Sequence, residues 1–264
     1  MERILLRFDG DAAAWSAVAW VAHRARRRRG RSRITLMLDG PARDAAALGL
    51  ALAAQSLRDA VPGTVVRAHG PLPLLTGHGL DADLVVLGVP SDATRMAAHV
   101  GGHGAHDTGS RAPVCIVPAG WRPTAGPVTV GVDGDASSDA AVRFAAREAA
   151  NLGVPLTLVH SWLMRMPAPD SFPTARPDPR SAEAGHLTIL RAAARRVPDE
   201  HPPRADLRLI RDTPSSALSA FEDDASMIVI GTHRARGAVD LRGSVARDLM
   251  AELRRPLCVV PPSP

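Results

Sequence analysis

The chain has 264 residues, 45% hydrophobic and 22% charged, enough apolar surface for one large or two ordinary globular domains and too much for a disordered chain. All 32 basic residues are arginine, which excludes lysine-dependent chemistries: the Walker A phosphate loop, the kinase strand lysine and the pyridoxal phosphate Schiff base. The formal net charge is +5, and seven arginines between Arg24 and Arg33 account for it, leaving 25 arginines against 27 acidic residues elsewhere.

That run of clustered arginines invites a nucleic-acid reading. Aromatic residues make up only 3% of the chain, however, and base stacking needs them. Arginines 24–29 are expected to close a helix whose C-terminal carbonyls favour cations, with Gly30 ending it and no nucleic-acid partner. The longest nearly charge-free apolar stretch, residues 12–22, is about half of the roughly 20 residues a membrane span needs. Glu2, Arg3, Arg7 and Asp9 stand where a signal peptide would carry its apolar core, so a cytoplasmic protein with no membrane association is expected. Cys115 and Cys258 are 143 positions apart with no C-x-x-C, so neither a disulfide scaffold nor a thiolate zinc site is expected, and both read as reduced packing residues.

Taken in chain order, short apolar runs alternate with Ala-rich amphipathic segments. The runs are residues 4–8, 34–38, 64–68, 84–87 and 114–117, then 128–132, 156–160, 207–210, 227–230 and 257–260. Their successive apolar positions fit parallel strands buried on both faces. Helices are expected at 12–29, 43–59 and 137–151 among others.

The second five runs repeat the first. Arg3-Ile-Leu-Leu-Arg-Phe-Asp-Gly-Asp-Ala12 aligns with Pro127-Val-Thr-Val-Gly-Val-Asp-Gly-Asp-Ala136 at an offset of 124, and Trp20 answers Phe144. Asp83-Leu-Val-Val-Leu-Gly88 aligns with Ser226-Met-Ile-Val-Ile-Gly231, and the segment around Cys115 with that around Cys258, both at an offset of 143. The difference locates an insertion in the second copy, placed in the Pro-rich residues 166–180 and expected to be a surface loop. The predicted architecture is therefore two tandem doubly wound α/β domains, each a five-stranded parallel sheet with helices on both faces. Residues 1–118 form the first, 119–126 a linker and 127–264 the second.

Ligands of open parallel sheets bind beyond the carboxyl ends of the strands. Strand one ends in Asp9-Gly10-Asp11 and in Asp133-Gly134-Asp135; strand four ends in Gly88 or Gly231, followed by Gly101-Gly102 or Gly243-Ser244. An acid there can bind ribose hydroxyls, and a glycine loop entering a helix offers backbone N–H groups to phosphate without a lysine.

At these residues the chain resembles the universal stress protein family, with its adenine nucleotide alpha-hydrolase-like fold. The matching segments are Val130-Gly-Val-Asp-Gly134, Leu158-Val-His-Ser-Trp162, Asp212-Thr-Pro-Ser-Ser-Ala-Leu218, Ile228-Val-Ile-Gly-Thr232, Gly243-Ser-Val-Ala246 and Arg255-Pro-Leu-Cys-Val-Val260. The resemblance covers nearly the whole chain as a tandem pair. It implies a sheet order of 3-2-1-4-5, a crevice shared by strands one and four, and last strands (residues 114–117 and 257–260) that pair in an internal pseudo-dimer, which can itself dimerise further.

Nucleotide-binding members carry glycine, two residues, glycine, nine residues, then glycine with Ser or Thr. The first copy has Ser91 for the second glycine and Gly102 for the hydroxyl; the second has Arg234 for the second glycine and one residue fewer before Gly243-Ser244. Arg234 and Arg236 can pair with phosphate directly or fill the pocket. The expected nucleotide-binding set is Asp133, Gly231, Arg234, Gly243, Ser244 and Val245 in the favoured second copy, with Asp9, Gly88, Gly101 and Gly102 in the first, and ATP as the ligand. Helix capping is the competing use of these aspartates. His99, His103 and His106 have helical spacing, but the intervening glycines argue against a metal site. No nucleophile–base constellation is present, so at most slow ATP hydrolysis is expected. Three readings stand: a nucleotide-responsive stress protein, an interaction module with two degenerate clefts, and a hydrolase of a phosphorylated small molecule.

Overall fold

The structure, a computed structural model, describes residues 1–28, 32–38, 44–70, 82–90, 112–163, 178–197, 205–232 and 243–262. Its strands are β1 (Glu2–Phe8), β2 (Ser32–Leu38), β3 (Val65–His69), β4 (Leu84–Val89), β5 (Val114–Pro118), β6 (Val128–Val132), β7 (Leu156–Ser161), β8 (Ala205–Ile210), β9 (Met227–Gly231) and β10 (Leu257–Val260). The described helices are α1 (Ala12–Arg27), α2 (Asp44–Ala60), α3 (Ala136–Leu152), α4 (Pro179–Ala194), α5 (Pro214–Ser219) and α6 (Ser244–Ala251).

Local chemistry sets the helix ends. The Asp11 carboxylate accepts from Ala14 N–H at 2.7 Å and caps α1. Asp135 accepts from Ser137 and Ser138 N–H and caps α3, which Gly153 ends at φ 69°. Asp178 and Thr213 cap α4 and α5, each followed by proline at the first helical position, where a missing N–H costs nothing. Pro179 and Arg180 thus already belong to a helix, which trims the predicted 166–180 loop at its end; residues 164–177 lie outside the described set.

All ten strands form one sheet in the order β3-β2-β1-β4-β5-β10-β9-β6-β7-β8. Each half has the order 3-2-1-4-5, every pairing within a half is parallel, and the halves join through the antiparallel pair β5 and β10. This pairing covers an edge that each half would otherwise expose. Inner strands are buried on both faces, with β4, β5 and β10 buried throughout. The outermost strands, β3 and β8, are mostly exposed, contrary to the expectation of strands buried on both faces: each lies at a sheet edge, and β8 alternates charged Asp206 and Arg208 with leucines.

The two cysteines are not separate reduced residues as expected. In the antiparallel register Cys258 stands directly opposite Cys115, with Cα atoms 4.1 Å apart, and the structure joins them in a disulfide with both side chains fully buried. Their separation of 143 equals the offset of the repeat, so one residue of the repeat meets its own counterpart at the pseudo-twofold axis relating the halves.

The arginine run also differs from expectation. The described helix ends at Arg27, with Arg28 as its C-cap, whose N–H donates to the Arg24 carbonyl; Arg29 to Arg31 lie outside the described residues. Arg24 is not a solvated cation but is 1% exposed. Its guanidinium reaches Glu148 Oε1 at 2.6 Å and Glu2 Oε2 at 2.7 Å, and Arg28 reaches Glu2 Oε1 at 3.2 Å. Burial opposes ionisation of Glu2, but the Arg24 guanidinium outweighs it and holds the carboxyl below its ordinary range. Buried charges persist only when paired in this way.

Candidate functional site

The site grows from the end of β6. Gly134 has φ +91°, a left-handed conformation that strains any residue with a Cβ. The turn it allows sends Asp133 outward while Asp135 turns back to cap α3. Asp133 is exposed, but its carboxylate is not loose: Oδ1 accepts from Asp135 N–H at 3.2 Å and from the Ser138 hydroxyl. The same hydroxyl oxygen accepts from Asp133 N–H at 2.9 Å. Ser138 is 2% exposed, so a buried hydroxyl fixes the orientation of an acid at the surface. Behind the turn, His160 Nδ1 donates to the Val132 carbonyl at 2.6 Å, and His160 Nε2 meets His186 Nδ1 at 2.9 Å. Burial, and then the neighbouring His160, hold the His186 imidazole below its ordinary pKa.

Beside β6, β9 ends in Gly231, where a Cβ would stand 2.7 Å from the Ser137 carbonyl oxygen. The first turn of α3 lies against this strand end, so Gly231 is required by packing whatever it binds. Gly88 has the same role in the first half: a Cβ there would fall 2.2 Å from the Ala13 carbonyl oxygen at the start of α1. Gly243 differs. It precedes α6 at φ −54°, with no atom of the described residues within 4 Å of a Cβ and no side-chain cap. Among the described residues nothing requires glycine at this position.

These elements enclose a cavity of about 420 Å³, within the range of small-ligand sites. Of the set expected in the second copy, Asp133, Gly231, Gly243, Ser244 and Val245 line it, and Arg234 lies outside the described residues. Its walls are apolar at Val159, Leu218, Ile230 and Val259 and polar at Asp133, Ser138, Ser161, Thr232 and Ser244. The first-turn amides of α6 have no intrahelical acceptor and carry the positive end of the helix dipole, which suits an anion. An oriented carboxylate, an apolar slot and the amides of a helix's first turn form a binding set. Among the described lining residues there is no histidine, cysteine or arginine to complete a nucleophile–base pair, and the described residues hold no cluster able to ligate a metal. No described helix is long and apolar enough to cross a membrane.

The first half keeps the turn but not its supports. Asp9 accepts from Asp11 N–H at 3.0 Å and Gly10 has φ +90°. At the offset of 124, Ala14 stands in place of Ser138 and Arg7 in place of Gly131, which lines the cavity. Gly101, Gly102, Ser91, Arg234, Arg236 and the histidines 99, 103 and 106 lie outside the described residues. Gly131, Ser138, Ser161 and Thr232 also line the cavity and were missed by sequence reasoning, which centred on the acids after strand one and the glycine loop after strand four. Strand alternation carries the signal, since in β7 Val159 and Ser161 face the cavity while His160 faces the opposite side.

The model of the universal stress protein family matches residues 125–261. A universal stress protein of Mycobacterium tuberculosis is 28% identical over 220 residues, covering 80% of this chain and 69% of that relative. Among solved structures, a universal stress protein from Archaeoglobus fulgidus superposes with a TM-score of 0.67 at 14% identity, covering 99% of this chain and 98% of that one. One described as a putative universal stress protein from Pseudomonas aeruginosa does so at 0.66 and 16% identity, covering 99% and 94%. At such identities the superpositions bear on the fold, while the family match rests on sequence. The chain belongs to the universal stress protein family.

Proposed function

We propose that the chain is a tandem stress-response regulator that binds an adenine nucleotide, ATP first among them, in the cleft of residues 127–264. The first domain, residues 1–118, is joined to it by the linker 119–126 and completes the fold as its pseudo-dimer partner. The reading rests on the cavity in which an oriented Asp133 and the amino end of α6 face one another across an apolar slot. In it, Asp133 accepts from ribose hydroxyls, Val159, Leu218, Ile230 and Val259 hold the base, and the amides at Ser244 and Val245 take the phosphates. Arg234 adds a guanidinium to the phosphates from the loop between Gly231 and Gly243. Occupancy of the loop then alters the surface offered to a protein partner, with binding rather than turnover as the active event.

The alternative reading, an interaction module with degenerate clefts, fits the first half. There Arg7 replaces the glycine of the cavity floor and Ala14 removes the hydroxyl that fixes the acid. A thermal-shift and calorimetric comparison of ATP, ADP, AMP and cyclic AMP on nucleotide-stripped protein tests both, with Gly131→Arg transplanting the first half's residue into the second. Saturable binding to the wild type that Gly131→Arg abolishes supports the proposal. Absence of binding by all four nucleotides refutes it and leaves the module.

A further inference from the structure

Two residues of the repeat meet their own counterparts between the halves. Cys115 meets Cys258 across the sheet, and Arg24 on α1 meets Glu148 on α3, their separation of 124 being the offset of that part of the repeat. A cysteine pair is indifferent to which halves come together, because identical residues can face each other. An arginine and a glutamate are not. Both are 1% exposed, and the guanidinium donates through Nε at 2.7 Å and Nη2 at 2.6 Å to the two carboxylate oxygens of Glu148.

We infer that this axial Arg24–Glu148 pair makes the surface between the halves a heterotypic recognition surface, whose one fitting partner is a second half carrying a carboxylate at the axis. The charges decide it. In the observed pairing Glu2, Arg24, Arg28 and Glu148 sum to zero. Two first halves placed in the same way would bring together two copies of Glu2, Arg24 and Arg28 and leave a double positive charge. Two second halves would bury Glu148 against its like, with Gly126 at the position corresponding to Glu2. Like charges in a desolvated site repel strongly, which is how an interface rejects wrong partners. The repeat has thus converted a position that symmetry would fill with identical residues into a pair that specifies which half pairs with which.

The inference is tested with full-length chains refolded from urea under reducing conditions and weighed by light scattering. Arg24→Glu places an acid at both axial positions and Glu148→Arg places a cation at both, so neither chain alone has a complementary pair. An equimolar mixture does, since the first half of each complements the second half of the other. The expected result is a species of twice the 27.8 kDa chain mass in the mixture and in neither variant alone. The doubly substituted Arg24→Glu/Glu148→Arg chain, whose axial pair is inverted, is expected to keep a single-chain mass, alone or mixed, and to have an unfolding midpoint above either single variant. A mixture that stays at one chain mass, or an inverted chain no more stable than the single variants, overturns the inference.

Discussion

Glycine to alanine is the same chemical change at Gly231 and Gly243, and the structure gives it opposite consequences at the two rims of the cavity. At Gly231 the new Cβ would lie 2.7 Å from the Ser137 carbonyl oxygen and 2.8 Å from its carbonyl carbon and hydroxyl. Backbone must therefore move, at a cost of about 1–3 kcal/mol for overpacking. With an unfolding entropy near 2.1 cal/mol/K per residue, a chain of this length loses about 2–5 °C in Tm. At Gly243 the conformation suits any residue and a Cβ meets nothing within 4 Å among the described residues. A weaker N-cap costs a few tenths of a kcal/mol, about offset by the lower entropy of the unfolded chain, so Tm stays within about 1 °C. The added methyl instead occupies the wall beside the α6 amides, and ATP affinity is expected to fall about tenfold or more, near 1.4 kcal/mol. Gly88→Ala is the control, meeting Ala13 at 2.2 Å in the other half, and is expected to destabilise without changing ATP affinity. Scanning fluorimetry and ATP titration on the three variants check this. Gly231→Ala melting with the wild type, or Gly243→Ala melting as low as Gly231→Ala, would refute the reasoning.

Three other outcomes follow from single groups. Glu222 is buried with no partner for Oε1 among the described residues, and burial pushes its carboxyl up to about 7 against the opposing pull of Arg254. Because the folded state holds this proton more tightly than the unfolded chain, stability is lost as pH rises from 4.5 to about 7; Glu222→Gln should gain about 1–2 kcal/mol at pH 8 and nothing at pH 4 in urea titrations. Cys115→Ser/Cys258→Ser removes a cross-link between positions 143 apart and should cost about 2–5 kcal/mol, or about 4–9 °C, in scans without reductant, while reductant should leave the variant unmoved. Ser138→Ala removes the hydroxyl's two hydrogen bonds to Asp133 while Asp135 N–H still holds the carboxylate; loss of the bond that orients the acid should weaken ATP binding about fivefold, with Tm lowered by about 1–2 °C.

The repeat, the inner strands and the paired acids were legible because each depends on residues close in sequence. Val128 to Val132 is apolar throughout, and Asp-Gly-Asp after a strand announces a turn and a cap in any context. Residues whose surroundings come from the other half were not legible. Arg24 stands in a run that reads as a solvated helix end, and Glu2, 22 positions away, together with Glu148, 124 positions away, turns it inward. Cys115 and Cys258 became a pair only through the antiparallel register of β5 and β10, which no local spacing encodes. The outer strands β3 and β8 are apolar enough to pass for interior ones, and their exposure follows from their place in the sheet order. In the cavity, the residues on the path of the chain were found, while Ser138 was hidden because a hydroxyl in the first turn of a helix ordinarily serves the helix itself.

The central claim is that one half of the chain holds the nucleotide and Asp133 positions it. Calorimetric titration of ATP into nucleotide-stripped wild-type, Asp133→Ala and Asp9→Ala protein measures stoichiometry and residue dependence together. One ATP per chain, retained by Asp9→Ala and lost by Asp133→Ala, is the predicted result. Two ATP per chain, or binding that survives Asp133→Ala and disappears with Asp9→Ala, would contradict it.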